Sequence, residues 1–279
     1  MSAIENKNYD QFNANGVIQL NGFNYVSNDY KQGIAISTCE LVFNPKNVTL
    51  NRFEMKMGKT DLRVTGWIDN LLSYFFKENE LLRGTMDIKS NVIDVNEFMS
   101  DPTATTTATD TSAATVFEVP SNIDFSITAT VGKIFYDDMV LENAKGNIAI
   151  RDRTLGLNDF SFNMLEGAIA MDGIYESKDI KKPSFFFNLD LKQLDITQTY
   201  NKFIAVQKFA PIAEKCKGKY SASMDVKGLL DGKMEPLLQT FTGSGKLSTS
   251  NVTVENFAPM VKLADALKMD QFKKWHLIM

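Results

Sequence analysis

The sequence predicts a mainly β protein made of repeating antiparallel units, in which a curved sheet surrounds an apolar groove. Three observations predict this fold class. Apolar and polar residues alternate with a period of two along many consecutive segments, turn residues separate those segments at short intervals, and one stretch of the chain repeats another. Helical periodicity is limited to a few short segments, most of them in the C-terminal third.

The alternation is clearest in the middle of the chain. Phe125, Ile127, Ala129 and Val131 alternate with small polar residues, which is typical of an antiparallel strand with one buried face. The same pattern predicts strands at 160–164, 169–175 and 185–191. Turns are predicted between strands at 44–47, 151–153 and 166–167, where Asn, Asp, Pro and Gly cluster. Short turns favour hairpins and a meander over crossover connections.

Four segments have helical character. A short helix is predicted over 70–78 and a longer one over 196–215, with Thr197 as its N-cap and Pro211 ending or kinking it. Further helices are predicted over 235–241 and 257–269. Residues 100–115 are rich in Thr, Ala and Asp and lack large apolar side chains, so they predict a flexible loop.

Two stretches of the chain align without a gap. Residues 41–70 match 148–177 at an offset of 107, and Leu50, Phe53 and Gly66 fall on identical residues. The alignment predicts a first unit over 1–99, the loop over 100–115, a second unit over 116–215 that ends in a helix, and a partial third unit over 216–279. Each unit supplies about five strands with one apolar face.

The apolar face of each unit must be shielded from water. A closed barrel or a two-sheet sandwich would bury it, whereas the few predicted helices are too small to do so. The remaining solution is a sheet curled around an open groove, which a long apolar ligand would fill. The 20 Phe and 13 Met residues suit an adaptable apolar lining. The residues alone are consistent with two alternatives, a lipid-filled groove and a closed core.

Composition excludes several other classes. The 279 residues carry a net charge of -4, which gives no basic surface for nucleic acid. Two cysteines and one histidine supply neither a disulfide scaffold nor a metal site, so no metal or cofactor is predicted. No signal peptide and no stretch of 18 apolar residues is present. The abrupt start and end suggest an internal piece of a longer protein.

No catalytic residue is predicted, and the protein is not expected to be an enzyme. His276 is the one histidine available to activate a nucleophile, and Asp137–Asp138 is interpreted as a solvated turn. Gly243–Lys246 departs from the phosphate-loop pattern and is interpreted as a turn that opens a strand. Cys39 and Cys216 are interpreted as separate small apolar residues, with a disulfide as the lesser alternative.

The segment 146–175 carries the spacing G-x-I-x-I-x-x-x-x-L-x-L-x-x-F-x-F, followed by a strand that contains Gly173. With the G-x-G-x-L run at 243–247 before a strand and a predicted helix, this pattern resembles the AsmA-like proteins of the bacterial periplasm, including the TamB type, and is nearest to members from Bacteroidota-like envelopes. The resemblance covers about 16–269. The family's N-terminal inner-membrane helix is missing from this sequence, and the chain is short for the family.

The resemblance implies a β-groove of taco-like cross-section that shields phospholipid acyl chains on their way between the inner and outer membranes. It implies a periplasmic location, an inner-membrane anchor in the full-length protein, a part in outer-membrane assembly and contacts with other envelope proteins. The alternative is a structural or interaction module with a closed core and no lipid. The residues predicted to line the groove are Phe53, Met55, Met57, Leu62, Val64, Met86, Ile88, Phe125, Ile127, Ile148, Ile150, Phe160, Phe162, Met164, Ile169, Met171, Phe185, Phe187, Leu189 and Leu191.

Overall fold

The computed structural model describes residues 15–26, 32–76, 80–99, 116–232, 234, 237–255 and 274–277. Within them, thirteen strands form one curved open sheet whose spatial order follows the chain. The predicted fold class is confirmed: the protein is mainly β and mostly antiparallel, with a few short helices. The first five strands are β1 (Gly16–Tyr25), β2 (Ile34–Phe43), β3 (Asn47–Met57), β4 (Thr60–Asp69) and β5 (Leu82–Asp94).

The sheet continues beyond β5 through the second half of the chain. The next five strands are β6 (Ile123–Tyr136), β7 (Met139–Arg151), β8 (Thr154–Met164), β9 (Gly167–Glu176) and β10 (Ser184–Asp195). The last three are β11 (Cys216–Leu229), β12 (Thr242–Glu255) and β13 (Lys274–Leu277). The predicted turns lie where expected, at 44–46, 152–153 and 165–166.

The internal repeat extends from sequence to backbone geometry. The offset that aligns the two sequence stretches also places β3 and β4 on β8 and β9 from first residue to last. The β3–β4 register shifts between Leu50 and Phe53, and the β8–β9 register shifts at the equivalent Leu157 and Phe160. Strands β1–β5 and strands β6–β10 therefore share this irregularity in register. The exact limits of the predicted units stay a prediction.

One junction in the sheet departs from the meander. Strands β5 and β6 are parallel, whereas every other neighbouring pair in the described part of the chain is antiparallel. A parallel pair requires a crossover connection rather than a hairpin. The predicted flexible loop 100–115 falls within this connection but lies outside the described residues.

The helices are shorter than the sequence predicts. The segment at 70–78 forms α1 (Leu71–Phe76), and α2 (Asn96–Met99) follows β5. The predicted long helix at 196–215 is three pieces: α3 (Ile196–Lys202), α4 (Ile204–Phe209) and a 3₁₀ turn at Pro211–Lys215. The predicted break at Pro211 is present, but an additional break falls at Phe203, whose backbone is extended.

Two further helix predictions change in detail. The N-cap of α3 is Asp195 rather than Thr197, because the Asp195 carboxylate accepts a hydrogen bond from the Gln198 backbone N–H. The predicted helix over 235–241 is reduced to a 3₁₀ turn at Leu238–Thr240 among the residues described there. The helix predicted over 257–269 lies outside the described residues. No described helix is long and apolar enough to cross a membrane.

Strand direction defines two ends of the sheet. We call the end with the β2–β3 and β7–β8 turns the upper end, and the end with the β3–β4 and β8–β9 turns the lower end. Short helices cover the lower end in both halves. In α2, Glu97 accepts hydrogen bonds from Lys59 N (2.7 Å) and Thr60 Oγ1 (3.0 Å). In α3, Gln198 Nε2 donates to Glu166 Oε1 (2.9 Å) across the equivalent turn.

Near the lower end, the Asp61 side chain replaces part of the β4–β5 ladder. Backbone pairing of these strands ends at Arg63 and Lys89, and beyond it Asp61 Oδ1 accepts hydrogen bonds from Asn91 N (3.0 Å) and Val92 N (2.9 Å). Burial alone raises the pKa of Asp61, but these N–H groups, the Asn91 amide and the Arg63 guanidinium outweigh it and hold the pKa below its usual value.

Replacing Asp61 with Ala removes the acceptor for two backbone N–H groups, so we expect it to lower the free energy of unfolding by about 1–3 kcal/mol at pH 7. A carboxylate with a lowered folded-state pKa stabilises the protein above its unfolded pKa of about 3.9 and loses this effect as the pH falls through the folded value. The difference between wild type and Asp61→Ala should therefore narrow below about pH 4, as measured by urea denaturation.

The matched control is Asp87→Ala on β5, because the contact of Asp87 within the described part of the chain is an exposed ion pair with Lys89 at 3.2 Å. We expect its effect to stay within about 0.5 kcal/mol. Equal losses for the two variants, or an Asp61→Ala difference that persists unchanged in acid, would contradict the role assigned to Asp61.

Candidate functional site

The candidate site is a continuous apolar face, defined by the register of the sheet. Side chains of directly paired residues in neighbouring strands lie on the same face. One row of partners therefore crosses twelve strands without a polar side chain, and we call it the central row. Its members are Ile18, Leu41, Leu50, Gly66, Met86, Ile127, Ile148, Leu157, Gly173, Phe187, Val226 and Gly243.

A second row lies beside the central row towards the upper end and is apolar or glycine except for one tyrosine hydroxyl. It consists of Gly16, Phe43, Val48, Ile68, Gly84, Phe125, Ile150, Leu155, Tyr175, Phe185 and Gly228. Two further rows lie towards the lower end. The opposite face of the sheet differs: its row from Arg63 through Lys89, Thr130, Lys145 and Ser161 is polar.

All the residues predicted to line a groove lie on this apolar face. Phe53, Val64 and Ile88 are paired across β3, β4 and β5, and Met171 and Leu189 continue the equivalent row in the second half. The register places the remaining predicted residues on the same side of their strands. The sequence thus identified one shared surface. Whether that surface binds lipid stays a prediction.

The apolar face is incompletely buried. Of the predicted lining residues, only Met57, Met164 and Ile169 are buried, and the others remain partly exposed. Strands spaced about 4.8 Å apart give this face a span of about 50 Å across twelve strands, and four rows give a width of about 20 Å. The four rows therefore occupy about 1,000 Å² of the sheet, and this area is buried at Met57, Met164 and Ile169 and partly exposed elsewhere.

Glycines on this face make room for phenylalanine rings. A Cβ added to Gly173 would lie 2.3 Å from Phe187 Cδ1, and one added to Gly84 would lie 2.5 Å from the Phe125 ring. Each ring therefore occupies the space that a glycine leaves on the neighbouring strand, an arrangement known as aromatic rescue. The same relation holds for Gly16 with Phe43, Gly146 with Phe160 and Gly228 with Phe241. The rings therefore lie close against the backbone and do not fill the space above the sheet.

The upper margin of the face is partly covered at β9. The Tyr175 hydroxyl donates to Phe117 O (2.6 Å), and the two rings lie 6.3 Å apart. Next to them, Val119 is fully buried and its N–H donates to Ser177 Oγ (2.8 Å). Burial raises the pKa of the Tyr175 hydroxyl. Residues 116–119 therefore form one wall of the groove.

The lower margin is closed in the second half of the chain. Met164, Ile169 and Leu194 form a buried cluster, against which Phe203 and Tyr220 pack. Burial also raises the pKa of the Tyr220 hydroxyl. Core packing is thus concentrated at this margin, while the middle of the apolar face stays open.

Sequence reasoning missed several contributors to the face. The alternation in β1, β2, β11 and β12 places Ile18, Leu20, Leu41, Met224 and Val226 on it, and the period-two pattern of these segments would have identified them. Phe117 and its contact with Tyr175 had no comparable signal, because Phe117 lies in an irregular segment distant in sequence.

The residues considered for chemistry are dispersed. Asp137 and Asp138 form the β6–β7 turn, where Asp138 pairs with Lys202, and His276 lies in β13. Gly243–Lys246 lies inside β12 rather than in a strand-opening turn, which corrects that interpretation. Cys39 and Cys216 are free thiols on β2 and β11. The described residues contain no group of three or more side chains suited to hold a metal ion.

Comparisons with models of protein families, with curated proteins and with solved structures found no match. The function of the apolar face must therefore be argued from its own geometry.

The fit of rings over glycines can be tested by stability. In Gly173→Ala the new methyl group would displace the Phe187 ring, so we expect a loss of about 1–3 kcal/mol and a fall in Tm of about 2–4 °C per kcal/mol. The control is Gly156→Ala on β8, where the nearest atoms to an added Cβ lie 3.9 Å away. We expect this control to leave Tm unchanged or slightly raised. Equal Tm values for the two variants in calorimetry would contradict the proposed packing.

Proposed function

We propose that this protein binds phospholipid acyl chains along its apolar face and acts as a segment of a passive bridge for lipids between the inner and outer membranes. The central row is the observation that carries the proposal, because it offers an unbroken apolar path across twelve strands. The resemblance of 146–175 and 243–247 to AsmA-like proteins supports a periplasmic setting and a part in outer-membrane assembly. This function requires no catalytic step and no cofactor.

The dimensions of the face suit an acyl chain. Half of the hydrocarbon thickness of a bilayer is about 15 Å, which is the approximate reach of one acyl chain. This reach fits within the width of about 20 Å given by four rows of side chains. A chain lying across the groove would leave its polar headgroup at the margin, in water. Successive chains would occupy successive positions along the long dimension of the face.

The energetics of burial also favour such a ligand. Complete burial of a methylene contributes about 0.8 kcal/mol, and an open groove covers about half of each methylene. Sixteen methylenes would then contribute about 6 kcal/mol, before the cost of ordering the chain. That strength permits binding and also permits movement between neighbouring positions, as a passive bridge requires.

The alternative function, a closed structural module without lipid, requires a second layer over the apolar face. All the described strands belong to a single sheet, and the described α-helices are segments of four to seven residues in the connections between strands. This arrangement supports the groove over the closed core.

Site-specific photocrosslinking tests lipid binding directly. We expect a benzophenone amino acid at Phe160, on the apolar face of β8, to crosslink phospholipid when the protein is made in a Gram-negative periplasm. The same group at Ser161, on the opposite face of that strand, is the control and should capture little or none. Mass spectrometry of the adducts identifies the lipid. Equal capture at the two positions, or no lipid at Phe160, would contradict the proposal.

Lipid transfer can be tested with a pair of charge substitutions on β6. Ile127→Glu places a carboxylate in the central row, where acyl chains would have to pass, so we expect it to lower transfer of a fluorescent phospholipid between phosphatidylethanolamine–phosphatidylglycerol vesicles at least fivefold. Thr128→Glu adds the same charge on the opposite face and should retain transfer. Transfer that is equally fast in the two folded variants would show that the apolar face is not the path.

A further inference from the structure

The outer edge of β1 has an unusual composition for an exposed edge. In the described part of the chain, β1 pairs with β2 on one side and with no strand on the other. Natural edge strands are usually protected by Lys, Pro, bulges or short length. The sequence of β1, GVIQLNGFNY, contains no charged residue and no proline. Its exposed apolar side chains are Val17, Ile18, Leu20, Phe23 and Tyr25.

The internal repeat shows what the equivalent edge carries elsewhere in this sheet. Strand β6 is the repeat equivalent of β1, and the ladder register makes Ile18 and Leu20 correspond to Ile127 and Ala129. The edge of β6 that corresponds to the free edge of β1 is occupied by β5, which runs parallel to it. Within this structure, the edge equivalent to the free edge of β1 is therefore paired with a parallel strand.

The pairing of β5 with β6 defines the chemistry of such a partner. Gly84 lies opposite Phe125, Met86 opposite Ile127 and Ile88 opposite Ala129. The glycine accepts the neighbouring aromatic ring, and the alternate apolar side chains extend the apolar face. Asp87 and Lys89 lie on the polar face. A partner strand for β1 would follow the same alternation, with a glycine near Gly16 and apolar residues near Ile18 and Leu20.

The other free edge lacks these features. Strand β13 pairs with β12 only from Val252 to Glu255, so the remainder of β12, which pairs with β11 on its inner side, has no strand on its outer side among the described residues. That remainder, Thr242–Asn251, is rich in Ser and Thr and carries Lys246, as expected of an edge that stays in water. Of the two outer edges, that of β1 is therefore the stronger candidate for pairing with another strand.

We propose that the outer edge of β1 is a docking site for a parallel β-strand of the β5 type, namely an extended segment with a glycine followed by apolar residues at every second position. Backbone hydrogen bonds would supply affinity, and the alternate side chains would supply specificity. Such a strand would extend the apolar face beyond Ile18 and Leu20. The proposal does not depend on lipid binding, since strand addition and lipid capture are measured separately.

The test uses a fluorescein-labelled peptide with the β5 sequence LRGTMDIKSNVID and the full chain. We expect saturable binding in fluorescence anisotropy. Leu20→Lys introduces an inward-pointing charge at the β1 edge and should weaken binding at least tenfold. Leu247→Lys, an exposed position on the same face of β12, is the matched control and should retain binding. A peptide carrying Met86→Pro and Asp87→Pro loses backbone donors and should bind at least tenfold more weakly to the unaltered protein.

Orientation is tested by disulfide capture in a protein whose native Cys39 and Cys216 are replaced by Ala. With Leu20→Cys in the protein, a peptide with Ile88→Cys should crosslink more efficiently than one with Gly84→Cys, because parallel pairing of the β5–β6 type places Ile88 opposite position 20. Preferential capture of the Gly84→Cys peptide would indicate an antiparallel strand and overturn the proposal.

Three other outcomes would also overturn it. One is equal binding of the original and proline peptides to the unaltered protein, a comparison that does not depend on folding of the Leu20→Lys variant. Another is equal loss of binding in Leu20→Lys and Leu247→Lys. The third is self-association of the protein, measured by sedimentation, that is abolished by Leu20→Lys but not displaced by the peptide, which would make a second copy the occupant of the edge.

Discussion

The register between strands is the constraint on which the rest of the structure depends. Side chains alternate with a period of two, so a slip of one residue in any strand would turn its apolar residues to the opposite face. Irregularities in the hydrogen-bond ladder are tolerated because the apolar side chains on both sides of them stay on the same face of the sheet. Across the β3–β4 irregularity, Leu50 and Phe53 both remain on the apolar side, and Leu157 and Phe160 do the same in the second half. The bulges therefore bend the sheet without interrupting the groove.

A single sheet with an open face has few places to bury side chains, and the structure compensates at its ends. The buried cluster of Met164, Ile169 and Leu194 lies at the lower margin, and Val119 is buried at the upper margin. Each strand otherwise contacts only its neighbours, as in solenoid proteins. Local polar contacts such as those of Asp61 therefore matter more than they would beneath a second layer.

Much of the fold follows from local sequence. The alternation around Phe125, Phe160 and Phe187 specified the apolar face, and the repeat specified which turns recur. The parallel β5–β6 junction was not predictable, because periodicity does not encode the direction in which a strand re-enters the sheet. The break at Phe203 was also missed, since apolar residues on both sides continue a helical pattern while tertiary packing sets its extended backbone. The groove wall at Phe117 was also not predictable, because it depends on a contact with Tyr175, which is distant in sequence.

The two halves of the chain are connected to their successors in different ways. After β5 the chain crosses over and re-enters in parallel, whereas after β10 it passes through α3, α4 and a 3₁₀ turn at the lower end and re-enters antiparallel as β11. The face to which a side chain points depends on its position in the ladder and not on strand direction. Thus Met86–Ile127 at the parallel junction and Phe187–Val226 at the antiparallel junction both continue the central row. A continuous groove constrains register but leaves the path of the connections free, which is why units with different connections can share one apolar surface.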